Sequence, residues 1–189
     1  MEKLRSIKWF FVALFVPVAV LLSMLVQPLA AQFFGEEIRL LTVPLDPRDL
    51  FYGDYVELSL AIETVDVRLL DDALFERVKD ADFWKETPVY VSLERNANHI
   101  YEVKYVSEKK PDGLFIKGEL YPYIFEEQIL EEESISRQYV RIDYGLNRFY
   151  VEEGKGLELE KLSQRGEIAV TAKVFNGYAV LTDISEWRR

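Results

Sequence analysis

Residues 168–184 read IAVTAKVF, then NG, then YAVLTDI, and this stretch decides the fold. Asn-Gly is the strongest two-residue signal for a β-hairpin, because both residues accept the positive φ that a tight turn between twisted strands demands. With Asn176 and Gly177 as that turn, residues 168–175 and 178–184 become two antiparallel strands. The same logic extends outward. Residues 139–144 and 148–151 read as short strands around Gly145, and residues 156–162 as one or two helical turns. Further upstream Val89, Val91 and Leu93 alternate with Tyr90, Ser92 and Glu94, the period-2 pattern of a half-buried strand. Asn96-Ala97-Asn98 makes a turn, residues 100–106 a second strand, and the Lys109–Gly113 stretch a turn with Pro and Gly in place. Residues 114–120 form a third strand, so the three are expected as an antiparallel meander that Tyr121-Pro122-Tyr123 ends. Five glutamates within 126–134 repel one another and predict a solvated loop or helix.

Nearer the N-terminus, residues 38–43 form a short apolar strand stopped by Pro44 and Asp46-Pro47. Val56, Leu58, Leu60 and Ile62 alternate with Tyr55, Glu57 and Ser59, predicting one strand over 55–62. Leu69, Leu70, Ala73, Leu74 and Val78 fit helical spacing and predict a helix over 71–79, after which Phe83 and Trp84 close over the core. The fold class is therefore mainly β, an antiparallel sandwich or barrel-like sheet with one or two short helices. Most of the eleven tyrosines and twelve phenylalanines are expected in the core, with Tyr52, Tyr121 and Tyr123 as candidates for an interaction patch.

Residues 9–26, WFFVALFVPVAVLLSMLV, carry no charge. Roughly 20 such residues cross a bilayer core as a helix, so 9–31 is expected as a transmembrane anchor with Pro17 in mid-span. Lys3, Arg5 and Lys8 precede it, and only Arg39 is basic between the span and Asp46. The positive-inside rule then puts residues 1–8 in the cytoplasm and the remainder outside it. The expected layout is a single-pass cell-membrane protein: anchor 9–31, linker 32–37 and an extracytoplasmic β-rich domain over 38–189. The rival is a cleaved signal peptide, which has a shorter apolar region and a small-x-small site that residues 28–31 match poorly.

Beyond residue 34 the chain has 20 basic against 32 acidic residues, a net charge of −12. That argues against nucleic acid and against docking on anionic headgroups, and for a domain held off the membrane surface. With no cysteine there are no disulfides, thiolate metal sites or cysteine nucleophiles. His99 is the only histidine and lies by a polar turn, which disfavours zinc.

The most distinctive stretch is Asp46-Pro47-Arg48-Asp49-Leu50-Phe51-Tyr52-Gly53-Asp54-Tyr55-Val56-Glu57-Leu58. Physics gives it a structural reading: Asp46-Pro47 starts a turn, Gly53 takes positive φ before the next strand, and Asp54 bonds nearby amides. Gly53-Asp54-Tyr55 followed after two residues by Leu58 resembles the GDYXXLXY family of membrane-anchored bacterial proteins. Asp46-Pro47-Arg48-Asp49-Leu50 is similar to that family's approach to the motif. The motif's last tyrosine is Leu60 here, an apolar packing position. Residues 142–151, with Tyr144-Gly145-Leu146, and residues 153–160 also resemble family segments. The resemblance implies a signal-anchored β domain, and the family's frequent encoding beside multi-span membrane proteins implies such a partner. It carries over no catalytic residue.

A Leu-x-x-Gly-Asp-x-Val run similar to Leu50, Gly53, Asp54 and Val56 also occurs in signal-peptidase-like serine proteases. The nucleophile's position falls at Leu45, and Thr42 is out of register, so no attack is possible. Asp46, Asp49 and Asp54 match no calcium loop and no phosphate loop is present, so no cofactor and no metal is expected. The expected function is a membrane-anchored binding or assembly module. The alternative is a hydrolase using carboxylates near the Gly53-Asp54 turn.

Overall fold

The computed structural model describes residues 2–43, 55–80, 86–128, 136–150 and 168–187. The chain begins with helix α1 (Glu2–Phe34), which contains Pro17 and Pro28. Most of its apolar stretch is exposed, and its buried contact with the rest of the chain is at the C-terminal end, at Ala31. By length and composition this helix is able to cross a membrane; a signal sequence meets the same test.

Residues 32–37, expected as a linker, are instead the end of α1, Gly35, and the first two residues of strand β1 (Glu36–Val43). Nothing breaks the helix before Gly35, whose N–H donates to the Ala31 carbonyl at 2.9 Å. One residue later the chain is captured by strand β10 (Ile168–Phe175), with Glu36 opposite Val174. The helix end is bonded into the sheet: Lys173 Nζ donates to the Gln32 carbonyl at 2.9 Å, and Ala31 is fully buried.

The rest is mainly β, in antiparallel sheets that curve into a half-barrel and a nearly closed barrel. The first sheet runs β11–β10–β1–β3, with β11 at Tyr178–Glu186 and β3 at Ser59–Leu60. Its hairpin closes as the Asn-Gly pair predicts, with φ of 48° at Asn176 and 82° at Gly177. The second sheet runs β4–β8–β7–β5–β6, comprising β4 (Thr64–Asp66), β5 (Thr87–Arg95), β6 (Tyr101–Ser107), β7 (Phe115–Gln128) and β8 (Ser136–Asp143). A two-stranded ribbon pairs β2 (Tyr55–Glu57) with β9 (Arg148–Tyr150). Helix α2 (Asp72–Asp80) matches its expected position; Asp71 caps it by accepting the Leu74 N–H at 2.7 Å, and Leu74 and Val78 are buried.

Further expectations need correction. The strand over 55–62 is divided at Leu58, because β2 pairs with β9 whereas β3 pairs with β1, and residues 61–63 close into a 3-10 turn. Strands β5, β6 and β7 are no meander: β5 lies between the other two, with Val91, Ser92 and Leu93 all buried, and β6 is at the edge. Pro122 does not end β7, because it falls in the bulge between the Tyr121–Arg141 and Phe125–Tyr139 pairs, beyond the last β5 partner at Leu120. There a missing N–H interrupts no ladder. Residues 126–128, expected in a solvated loop or helix, instead continue β7 against β8, while the expected roles of Phe83, Trp84, residues 156–162 and residues 129–134 concern positions outside the described residues.

One apolar cluster joins both large sheets, from Ile38, Leu40, Ile168 and Val170 to Val91, Leu120, Val140 and Ile142. Burying each such side chain contributes about 1.5–3 kcal/mol. Among the described glycines the one with least room is Gly35, where an added Cβ would meet the Ala31 carbonyl oxygen at 2.3 Å and two β10 atoms at 3.0 Å. Gly35→Val is therefore expected to destabilise the full-length protein by about 1–3 kcal/mol through overpacking. Thermal unfolding in detergent checks it, and an unchanged Tm would show that the joint yields freely.

Candidate functional site

Two of the segments that carry the family likeness, the motif and residues 142–151, are far apart in sequence and lie side by side in the fold. Strand β2 pairs with β9 through Tyr55–Tyr150, Val56–Phe149 and Glu57–Arg148. The ladder continues into the Leu58 N–H, which donates to the Asn147 carbonyl at 2.8 Å. Between β8 and β9 the chain turns at Gly145, with φ of 67°, and the Gly145 N–H donates to Asp143 Oδ1 at 2.7 Å. The Tyr144 hydroxyl donates to the Ile62 carbonyl at 2.9 Å. Leu146 is buried beneath this turn.

The alternation read from the motif sorts its side chains. Leu58 and Leu60 face the core, so the position where the motif would carry its last tyrosine is an apolar packing site. Glu57, Leu58 and Ser59 line a cavity of about 400 Å³, completed by Glu63, Tyr121, Arg141, Asp143 and Asn147. Glu63 is 6 % exposed. Its Oε2 accepts from Ser59 Oγ at 3.2 Å and, more weakly, from Arg141 at 3.4 Å. Burial pushes the Glu63 carboxyl above its usual range, against the opposing pull of the Leu60 amide, Ser59 and Arg141. Burial and then the Glu63 charge push the Tyr144 phenol well above its ordinary value. At the cavity rim the Tyr121 phenol is raised by burial first, then by the carboxylates of Glu86, Asp143 and Glu119. The rim field is thus negative, with Arg141 as the cation in the cavity lining.

Of the residues singled out in the sequence, Tyr55 contributes backbone pairing and Leu58 a core side chain. Asp46, Pro47, Arg48, Asp49, Gly53 and Asp54, and also Tyr52, lie outside the described residues. Tyr121 is half-buried at the cavity. Thr42 is buried and donates to the Ile168 carbonyl at 3.0 Å, a packing role. His99 is exposed with φ of 64° in the turn organised by Asn96. Sequence reasoning missed Glu63, Arg141, Asp143 and Asn147. The one available signal was an acid directly after an apolar alternation, Leu60-Ala61-Ile62-Glu63. Among the described residues no three His, Asp or Glu side chains are grouped to hold a metal.

Fold and site define a class of protein: an apolar N-terminal helix built into a mainly β domain with a polar cavity beside its most distinctive motif. The chain belongs to the GDYXXLXY protein family, whose sequence model matches residues 17–184. No curated protein and no solved structure matches the chain.

The Glu63 shift carries a linkage consequence. A carboxyl whose folded pKa is raised contributes fully below its unfolded value and loses stability as pH rises through the folded one. The amide of Glu63→Gln cannot ionise. Its Tm relative to the native chain should therefore rise between about pH 4 and pH 7, as the native carboxyl is forced to ionise in a buried position. A difference independent of pH in differential scanning calorimetry would refute the buried-acid assignment.

Proposed function

We propose that this chain is a single-pass, membrane-anchored binding module. Its N-terminus is cytoplasmic, and its β domain presents the cavity beside the motif to a partner outside the cytoplasm of a bacterial cell. The observation that carries the anchored reading is the joint at Gly35. A segment removed by a signal peptidase has no reason to be bonded into the mature domain, yet the α1 end contributes a fully buried Ala31, the Gln32 carbonyl held by Lys173, and the Phe34 ring 6.3 Å from that of Phe175. Lys3, Arg5 and Lys8 ahead of the span support the orientation. The family match beginning inside α1 agrees with helix and domain being one unit. A multi-span membrane protein is the partner class that the family's membrane setting favours, and the acidic rim suits a positively charged or hydrogen-bond-donating group on it.

A second reading, carboxylate-dependent hydrolysis, draws on the same cavity. A buried Glu63 with a raised pKa is suited to hold and donate a proton. The two readings part on complementation of a deletion strain. For a module, the domain released from α1 fails to complement even at normal abundance. For a hydrolase, the released domain complements and its Glu63→Gln variant, equally abundant, does not.

The topology has its own test. A reporter active only outside the cytoplasm, fused after Arg189, should be active, and the full-length protein should resist carbonate extraction. A cytoplasmic signal from the fusion, or release of the protein by carbonate, would overturn the anchored reading.

A further inference from the structure

We propose that the end of the β domain nearest α1, built on the β10–β11 turn, rests on the headgroup layer of the bilayer that α1 crosses. The proposal builds on the anchored reading above and assigns the domain a lipid-facing surface.

Length is the first ground. The uncharged stretch runs from Trp9 to Phe34, the last residue of α1. At about 1.5 Å per residue that is about 39 Å, longer than a hydrocarbon core of about 30 Å and close to the roughly 40 Å of a bilayer with its headgroup layers. Phe33 and Phe34, 73 % and 76 % exposed, thus come to interfacial depth, where aromatic rings are favoured. Gly35 alone separates them from β1, so no spacer lifts the domain away.

The neighbouring side chains fit the same depth. Phe175, 42 % exposed, has its ring 6.3 Å from that of Phe34, and the exposed Tyr178 follows across the turn. The apolar surface of the helix therefore continues onto the domain. Charge is the independent ground. Lys173 stands at the helix end, Lys110 donates to Asn176 Oδ1 at 2.9 Å, and the Lys117 N–H donates to the Gly177 carbonyl at 2.9 Å. These three cations gather at the turn and offset Glu36 and Glu37 on β1, in a domain whose net charge is otherwise strongly acidic. The repulsion from anionic lipid expected of the whole domain is offset at this end, and lysines at headgroup depth attract phosphate.

The absence of cysteine makes the test clean. The full-length protein carries one fluorophore, on Lys110→Cys at the turn or on Asp183→Cys further along β11. Each is reconstituted into vesicles of seven parts phosphatidylcholine to three parts phosphatidylglycerol. Lipids spin-labelled on the headgroup should quench the Lys110 probe several-fold more than the Asp183 probe. Adding Phe175→Ser and Lys173→Glu should reduce that difference. Equal, weak quenching at both sites in protein that still resists carbonate extraction would overturn the docked orientation and leave the anchor standing. Loss of the protein from the vesicles in carbonate would overturn the anchor, and the docked orientation with it.

Discussion

One shared apolar core holds the two large sheets together, with no disulfide across it. A chain without cysteine has no cross-link to restrict its unfolded state. Everything else in the domain depends on alternate residues of β1, β5, β7, β8 and β10 meeting in that core. Polar side chains enter it only where they are satisfied: Thr42 by a carbonyl, Glu63 by Ser59 and Arg141, and Tyr144 by the Ile62 carbonyl. Among the described residues no buried side-chain nitrogen or oxygen lacks a partner. This matters because an unsatisfied buried polar group costs about 1–3 kcal/mol.

The site depends on the same alternation seen from the other side. Leu58 and Leu60 spend their side chains on packing, which leaves Glu57 and Ser59 on the cavity wall. The facing wall comes from β8 and the Gly145 turn, where Arg141 and Asp143 stand on the opposite face of the strand from Val140 and Ile142. Motif and turn are thus coupled by packing. A substitution that moves Leu58 also moves the Asn147 carbonyl that its N–H holds.

Much of this was legible in the chain itself. The Asn176-Gly177 hairpin, the buried set Val89, Val91 and Leu93, and α2 with its Leu74 and Val78 face follow from local periodicity and turn chemistry. Strand order did not follow, because edge strand β6 and central strand β5 have similar alternation and the link from β6 to β7 is long enough to pass either way. Pro122 read as a stop because its tolerance depends on a bulge against β8, a fact about pairing and not about residue 122. The cavity was hidden for the same reason: Glu63 and Arg141 stand 78 positions apart and become neighbours only once β4 pairs with β8. The expected linker over residues 32–37 was not found, because helix and strand propensities give no warning that one glycine suffices between the two elements.

That single-residue joint has a mechanical side. Strand β1 begins one residue after α1 and runs antiparallel to β10 through paired positions from Glu36–Val174 to Leu41–Ala169. A tug on the helix along β1 therefore loads the hydrogen bonds of that ladder side by side, as shear, and does not peel them one after another. With no slack stretch to take up displacement, tension at the helix passes directly into the middle of the first sheet, where β1 lies between β10 and β3. The domain is in this sense stiffly coupled to its helix: tilting one tilts the other, and the strand that bears the load also sends Ile38 and Leu40 into the core.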